Sequence, residues 1–257
     1  MTSLRTRINR IVGPILANRM TGIVAAKLLR DRIPHRGLTI DTSDPVVTPE
    51  IKAALLLGGY ESGEYRFVQR YLPRDVDVVE LGGRLGVISC TTRRAIAPER
   101  RMVIVEADPR LAKSLRRNLA LNGCETNTTV AEVAISYGGG DTVAFAMGES
   151  SVSGRIASEA PDLQTVQVPA RTLSGLLDEH GITDFALISD IEGVEWQILR
   201  NDFDALTRAR IIIMETHDSR EHGTHEQLVV TLLDSGRFRL LDSHGPVVAL
   251  QPVTANG

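Results

Sequence analysis

Long apolar runs are missing from this sequence. No stretch reaches the roughly 18–20 residues that a membrane-spanning helix needs, and arginines interrupt residues 1–36 too often for a signal-peptide core. Aromatic residues make up only 4% of the chain, which argues against a base-stacking nucleic-acid surface. Cys90 and Cys124 are the two cysteines. They cannot build a disulfide framework and form no C-x-x-C pair, so a reducing, cytoplasmic setting is the expectation. Neither charge sign dominates: 29 basic against 32 acidic residues leave a net −3, and no global field marks a polyanion binder. What is present is ordinary: 257 residues, 42% hydrophobic and 24% charged. These values exclude disorder and fibrous repeats and leave one globular domain with an N-terminal extension.

The charge is unevenly placed. Residues 1–36 carry Arg5, Arg7, Arg10, Arg19, Lys27, Arg30, Arg32 and Arg36 against the single acid Asp31, a local +7. Between them Ile8, Ile11, Val12, Ile15 and Leu16, then Met20, Ile23, Val24, Leu28 and Leu29, recur at near-helical spacing. With Gly13-Pro14 as a break, the pattern predicts two short amphipathic helices in a basic extension, residues 1–49, ahead of a domain over 50–257. Such helices either pack on the domain or rest through residues 1–36 on an anionic membrane surface or partner.

From residue 75 onward short apolar runs alternate with helical stretches. Strands are expected at 77–81, 102–106, 128–135, 143–147, 165–168, 185–189 and 209–214, with a closing pair at 237–241 and 247–251 around Ser243-His244-Gly245. Helices are expected at 87–96, 109–121, 173–180, 192–200 and 221–234. This alternation implies βαβ units and a mainly parallel, doubly wound α/β sheet with an antiparallel edge. Ligands of such sheets bind beyond the carboxyl ends of the strands.

Chemistry-bearing residues cluster at those ends. The first strand leads into Glu80-Leu81-Gly82-Gly83-Arg84-Leu85-Gly86, and the second ends in Glu106-Ala107-Asp108, where an acid can pair with ribose hydroxyls. The loop is not G-x-G-x-x-G, so a dinucleotide is disfavoured. An acid beside a glycine turn suits a cationic ligand such as S-adenosylmethionine. Further on stand Asp190-Ile191-Glu192-Gly193-Val194-Glu195 and Met214-Glu215-Thr216-His217. An acid at a buried strand end, Asp190, needs a partner, whereas Glu192 and Glu195 equally fit the first turn of a helix. His217 directly follows a central strand; His35, His180, His222, His225 and His244 are expected in turns or exposed helix. His222 and His225 lack a third ligand, and no metal site is expected from them.

These elements resemble a known family. Val78 to Gly86 is similar to motif I of class I S-adenosylmethionine-dependent methyltransferases, and Val103 to Pro109 to their second motif. Thr172-Leu173, the Asp190 to Glu195 element and Glu215-Thr216-His217 resemble the FkbM family over about residues 50–250. The chain departs from that family at Glu80 (usually Asp), Gly83-Arg84 (Ala-Asn), Ser174 (Asp) and Ile188 (Lys). The resemblance implies a seven-stranded Rossmann-like sheet and methyl transfer to a hydroxyl on a sugar, polysaccharide or polyketide-type small molecule or glycan. In that reading Glu80, Gly82, Gly83 and Gly86 hold the methionine end of S-adenosylmethionine. Glu106 and Ala107 take the ribose, and Glu132 and Val133 line the adenine. Asp190 stands between cofactor and acceptor, and His217 is the general base. Two alternatives stay open. One is Mg²⁺ held by Asp190, Glu215 and His217, ranked below the metal-free reading. The other is a weakly active or inactive binding and assembly module. Nucleic acid is not an expected partner, and oligomeric state is not legible.

Overall fold

The computed structural model describes residues 18–148, 155–156, 164–219 and 221–253. The chain enters through helix α1 (Arg19–Leu29), capped by the Asn18 side chain. A hairpin follows, β1 (Arg32–His35) and β2 (Leu38–Asp41). The second of the two expected helices is α1. The first lies outside the described residues, and the second gives way at residue 32 to a hairpin whose alternate side chains, Ile33, Leu38 and Ile40, are buried in the main core. Residues 32–41 are therefore continuous in packing with the domain. His35, expected in solvent, is buried, with Nδ1 2.7 Å from the Leu55 carbonyl.

Two helices follow that the apolar periodicity did not announce, α2 (Pro49–Leu57) and α3 (Ser62–Tyr71). Local chemistry still explains α2: Thr48 caps its first turn, Pro49 pre-sets φ at its start, and Gly58 turns left-handed to end it.

The central sheet then forms from β3 (Asp77–Leu81), β4 (Met102–Val105), β5 (Thr128–Ala131), β10 (Phe185–Ser189), β11 (Ala209–Glu215), β12 (Phe238–His244) and β13 (Val247–Pro252). The strands lie in the order β12-β13-β11-β10-β3-β4-β5. Its core pairs are parallel, and β13 runs antiparallel to both neighbours. Helices cover both faces: α4 (Val87–Ala95) and α5 (Pro109–Leu121) on one, with α6 (Leu173–Glu179), α7 (Glu195–Asn201), α8 (Phe203–Thr207) and α9 (His225–Asp234) on the other. Burial on both faces is why the central strands read as unbroken apolar runs. Alternation sends Val78, Ile104, Ile188 and Ile213 into one core and Val79, Val103, Leu187 and Ile212 into the other.

Three boundaries differ from expectation. The 128–135 strand is broken: β5 stays in the central sheet, while β6 (Ala134–Ile135) leaves it to pair with β9 (Thr165–Arg171). There it joins a smaller sheet with β7 (Thr142–Ala146) and β8 (Arg155–Ile156). Helix α7 starts at Glu195 rather than residue 192, because Gly193 takes a left-handed turn at φ 83°. Helix α9 starts at His225 rather than residue 221, where Thr224 and Gln227 form a reciprocal capping box. Among the described residues no helix is long and apolar enough to cross a membrane.

Candidate active site

The order of the sheet reverses at β3, whose neighbours are β4 on one side and β10 on the other. The loop leaving β3 therefore meets the residues that follow β10. Contact is close: a β-carbon on Gly82, at φ 88°, would sit 2.2 Å from the Asp190 carbonyl oxygen. Only glycine allows that approach. Gly83 and Gly86 serve packing in the other direction, since β-carbons there would lie 2.5 Å from Ile104 and 2.7 Å from Leu115.

Arg84 occupies the centre of this loop at φ 47°. Its backbone N–H donates to Glu106 Oε2 at 2.7 Å. Its guanidinium donates to Asp190 Oδ1 at 2.7 Å and to Glu192 Oε1 at 3.3 Å. The cation is thus paired with two acids, Asp190 and Glu192. Glu192, ahead of α7 rather than inside its first turn, is free to make that contact because of the Gly193 turn. The second oxygen of Glu106 accepts from the Asp108 N–H at 2.9 Å. Burial raises the Glu106 pKa to about 7 against those two backbone donors.

Glu80 is buried beneath the loop. Ser89 on α4 donates to its Oε1 at 2.9 Å, and among the described residues Oε2 has no hydrogen-bond partner. Burial pushes its pKa to about 8, despite Ser89. Glu80 thus faces helix α4.

On the other side of Asp190 stands His217, after β11. Its Nδ1 lies 2.7 Å from Glu195 Oε1. Its Nε2 looks onto a fan of carboxylates: Asp190 at 3.7 Å, Glu192 at 3.8 Å and Glu215 at 4.0 Å. Burial acts to lower the histidine pKa, but the Glu195 hydrogen bond and the charges of Glu195, Glu192 and Asp190 outweigh it and raise the pKa to about 9. The ring is therefore an imidazolium at neutral pH.

More acids close the ring from the side of α3. Burial raises Glu61 and Glu215 to about 8 and Glu195 to about 7, and raises Glu64 as well. Glu61 and Glu64 belong to the start of α3, where no element was expected. Glu195 was visible only as one of two acids near a helix start, although the D-x-E-G-x-E spacing already placed it five residues after Asp190.

Glu80, Gly82, Gly83, Gly86, Glu106, Asp190 and His217 are all brought to this edge. Ala107, half-buried, follows Glu106 and packs on the small-sheet cluster. Glu132 is not brought in: it is exposed and ion-paired with Arg116 on α5. Val133 is half-buried against the α6–α9 core.

Carboxyl groups held neutral by burial make stability depend on pH. A group whose folded pKa lies above its unfolded value of 4.5 contributes stability at low pH and loses it as pH rises through the folded value. The melting temperature should therefore fall between pH 5 and pH 9. Glu80→Gln, which copies the protonated acid, should recover roughly 2–4 kcal/mol at pH 8 and much less at pH 5. Urea denaturation at the two pH values checks this, and equal effects at both would refute it.

Among curated proteins none matches the chain. A proposed O-methyltransferase from Klebsiella pneumoniae superposes with a TM-score of 0.48 at 13% identity, covering 96% of each chain. Precorrin-6y C5,15-methyltransferase from Geobacter metallireducens gives 0.42 at 15% identity, covering 83% of this chain and 92% of that one. A proposed tRNA (m1A22) methyltransferase from Streptococcus pneumoniae, solved with S-adenosyl-L-methionine, gives 0.43 at 10% identity over 74% of each chain. The profile of the methyltransferase FkbM domain matches residues 80–242, from the acid of the glycine loop to the penultimate strand of the sheet. The chain belongs to the FkbM family of methyltransferases.

Proposed function

We propose that the chain moves a methyl group from S-adenosylmethionine to a hydroxyl oxygen of a small molecule or glycan, of sugar, polysaccharide or polyketide type, in the cytoplasm. One observation carries the reading. Among the described residues, eight acids (Glu61, Glu64, Glu80, Glu106, Asp190, Glu192, Glu195 and Glu215) gather at the sheet edge around the cations Arg84 and His217, with Arg36 beside Glu61 and Glu64. Such a site favours a positively charged ligand, whose charge lowers the raised carboxyl pKa values and restores their ionisation on binding.

The residues fit S-adenosylmethionine. Glu106 has two carboxylate oxygens with spare acceptor capacity beyond their backbone bonds. The Gly82 turn lets the loop backbone close onto the Asp190 carbonyl, which brings Glu106 and Asp190 to the same edge. Bound there, the cofactor supplies a methyl group on a sulfonium, an intrinsically good leaving group. The protein's work is alignment and proton removal. Glu195 fixes the His217 ring through Nδ1, so that once the imidazolium has lost its Nε2 proton, as a sulfonium beside it favours, Nε2 can take the acceptor's hydroxyl proton. Asp190, between Arg84 and His217, holds both cations in place.

The magnesium alternative does bring its three groups together, with ligand atoms of Asp190, Glu215 and His217 within 4.8 Å of one another. However, Asp190 Oδ1 already accepts from the Arg84 guanidinium, which an ion at that oxygen would have to displace. Methyl transfer should therefore survive EDTA with less than a twofold loss. An activity restored only by added Mg²⁺ would refute this.

The assembly-module reading retains one supporting observation. Where the family has a lysine two residues before Asp190, this chain has Ile188, buried in the core. Tritiated methyl transfer from labelled cofactor into a host extract separates the two readings. A labelled hydroxylated product supports the enzyme, and cofactor binding with no labelled product supports the module.

A further inference from the structure

Helix α1 is built with its packing inverted. Its inward face is small: Gly22 and Ala25 are buried, and a β-carbon on Gly22 would fall 1.7 Å from the Pro49 carbonyl oxygen, so the helix lies backbone to backbone against the start of α2. Its outward face is large and apolar. Met20 is 66% exposed, Ile23 42%, Val24 50% and Leu28 76%. Positions 20, 23, 24, 27 and 28 form one stripe at i, i+3, i+4, i+7 and i+8. A helix that stabilises only its own domain puts large apolar residues inward and polar ones outward. Here the reverse holds, and the outer stripe is available to a partner.

The surrounding charge indicates the partner. Lys27 lies within the outer stripe, and Arg19, Arg30 and Arg32 around it are exposed. The nearby acids are engaged: Asp31 is ion-paired with Lys52 at 2.6 Å, and hydrogen bonds from its own backbone N–H and from Thr48, with a smaller contribution from Arg19, hold the Glu50 pKa down. By sequence, residues 1–17 add Arg5, Arg7 and Arg10 and no acid. An apolar stripe with cations in and around it is complementary to a surface that is anionic outside and hydrocarbon beneath.

We propose that α1 is a membrane-docking helix, which lies in the plane of an anionic lipid surface with Met20, Ile23, Val24 and Leu28 in the acyl boundary and Arg19, Lys27, Arg30 and Arg32 at the headgroups. The inference does not depend on the methyl-transfer reading.

The test is co-sedimentation of the full chain with vesicles. Vesicles of phosphatidylcholine containing about 30% phosphatidylglycerol should retain the chain, and pure phosphatidylcholine should not. Raising salt from about 0.1 M to 0.5 M should weaken retention severalfold, as the Debye length shrinks. The double variant Ile23→Asp/Leu28→Asp should lose at least tenfold in vesicle affinity while its melting temperature and S-adenosylmethionine binding stay unchanged, because both side chains are exposed. Lys27→Glu/Arg30→Glu should lose binding to anionic vesicles to a similar extent. Absence of wild-type binding to anionic vesicles would overturn the proposal. Equal retention of the Asp variant would do the same. So would a wild-type dimer in light scattering that the Asp variant dissolves, with no vesicle binding, since the occupant would then be a second copy.

Discussion

His217→Gln should lower kcat by about 10²–10⁴-fold, the range expected when a general base is removed. The acceptor fraction for that assay comes from the tritium-transfer experiment. Cofactor affinity should change far less, because the ring is held by Glu195 through Nδ1 and presents only Nε2 to the crevice. The pH profile gives an independent readout. With the pKa raised to about 9, the ring of the free enzyme carries a proton at neutral pH and cannot act as a base until it is lost. The logarithm of kcat/KM should therefore climb with pH and level off near 9. A cation seated beside the ring repels the imidazolium, so kcat should level off at a lower pH than kcat/KM. Glu195→Gln, which removes the charge that favours the imidazolium, should shift both inflections downward. A pH-independent rate, or a His217→Gln variant within fivefold of wild type, would rule out this assignment.

The second large effect concerns Arg84. Its side chain is nearly buried and so is that of its partner Asp190. Removing one member of such a pair leaves a charge without compensation in a poorly solvated place, at a typical cost of about 3–5 kcal/mol. Arg84→Met should destabilise the fold by that amount in urea denaturation, whereas Arg84→Lys should keep more than half of it. Asp190 should then lean on His217 alone, 3.7 Å away. That raises the histidine pKa further and moves the kcat/KM profile to higher pH. The exchange of the family's asparagine for arginine therefore has a structural account here: the cation neutralises Asp190 and Glu192, which would otherwise repel each other beside Glu215 and Glu61. A melting curve unchanged by Arg84→Met would contradict it.

The legible parts of the fold were those where a strand is buried on both faces. Val78-Val79, Val103-Ile104-Val105 and Ile211-Ile212-Ile213 read as strands because both sides of the sheet are covered. The acids after them follow from the position of the sheet's carboxyl edge. The hairpin at 32–41 was hidden because it alternates charged, exposed residues with buried ones over only four-residue strands, and its arginines continued the pattern of the helix before it. His35 misled for a related reason: nothing local shows that the Leu55 carbonyl comes from another helix to receive it. Glu61 and Glu64 reach the site only because α3 folds over the sheet edge, a tertiary fact with no local signature. Glu132 was expected near the adenine because it follows a strand. The break between β5 and β6 leaves it turned to Arg116 instead. The outward apolar stripe of α1 was legible as periodicity, but which face would turn inward depended on the close approach at Gly22.

The claim on which the functional account stands is that this acidic crevice binds the S-adenosylmethionine cation. Calorimetric titration of the purified chain tests it. Saturable, micromolar binding at one site per chain is expected, weakened at least tenfold by Gly82→Val, which drives a side chain into the Asp190 backbone. No saturable heat at millimolar cofactor, or equal affinity for a nicotinamide dinucleotide, would contradict it.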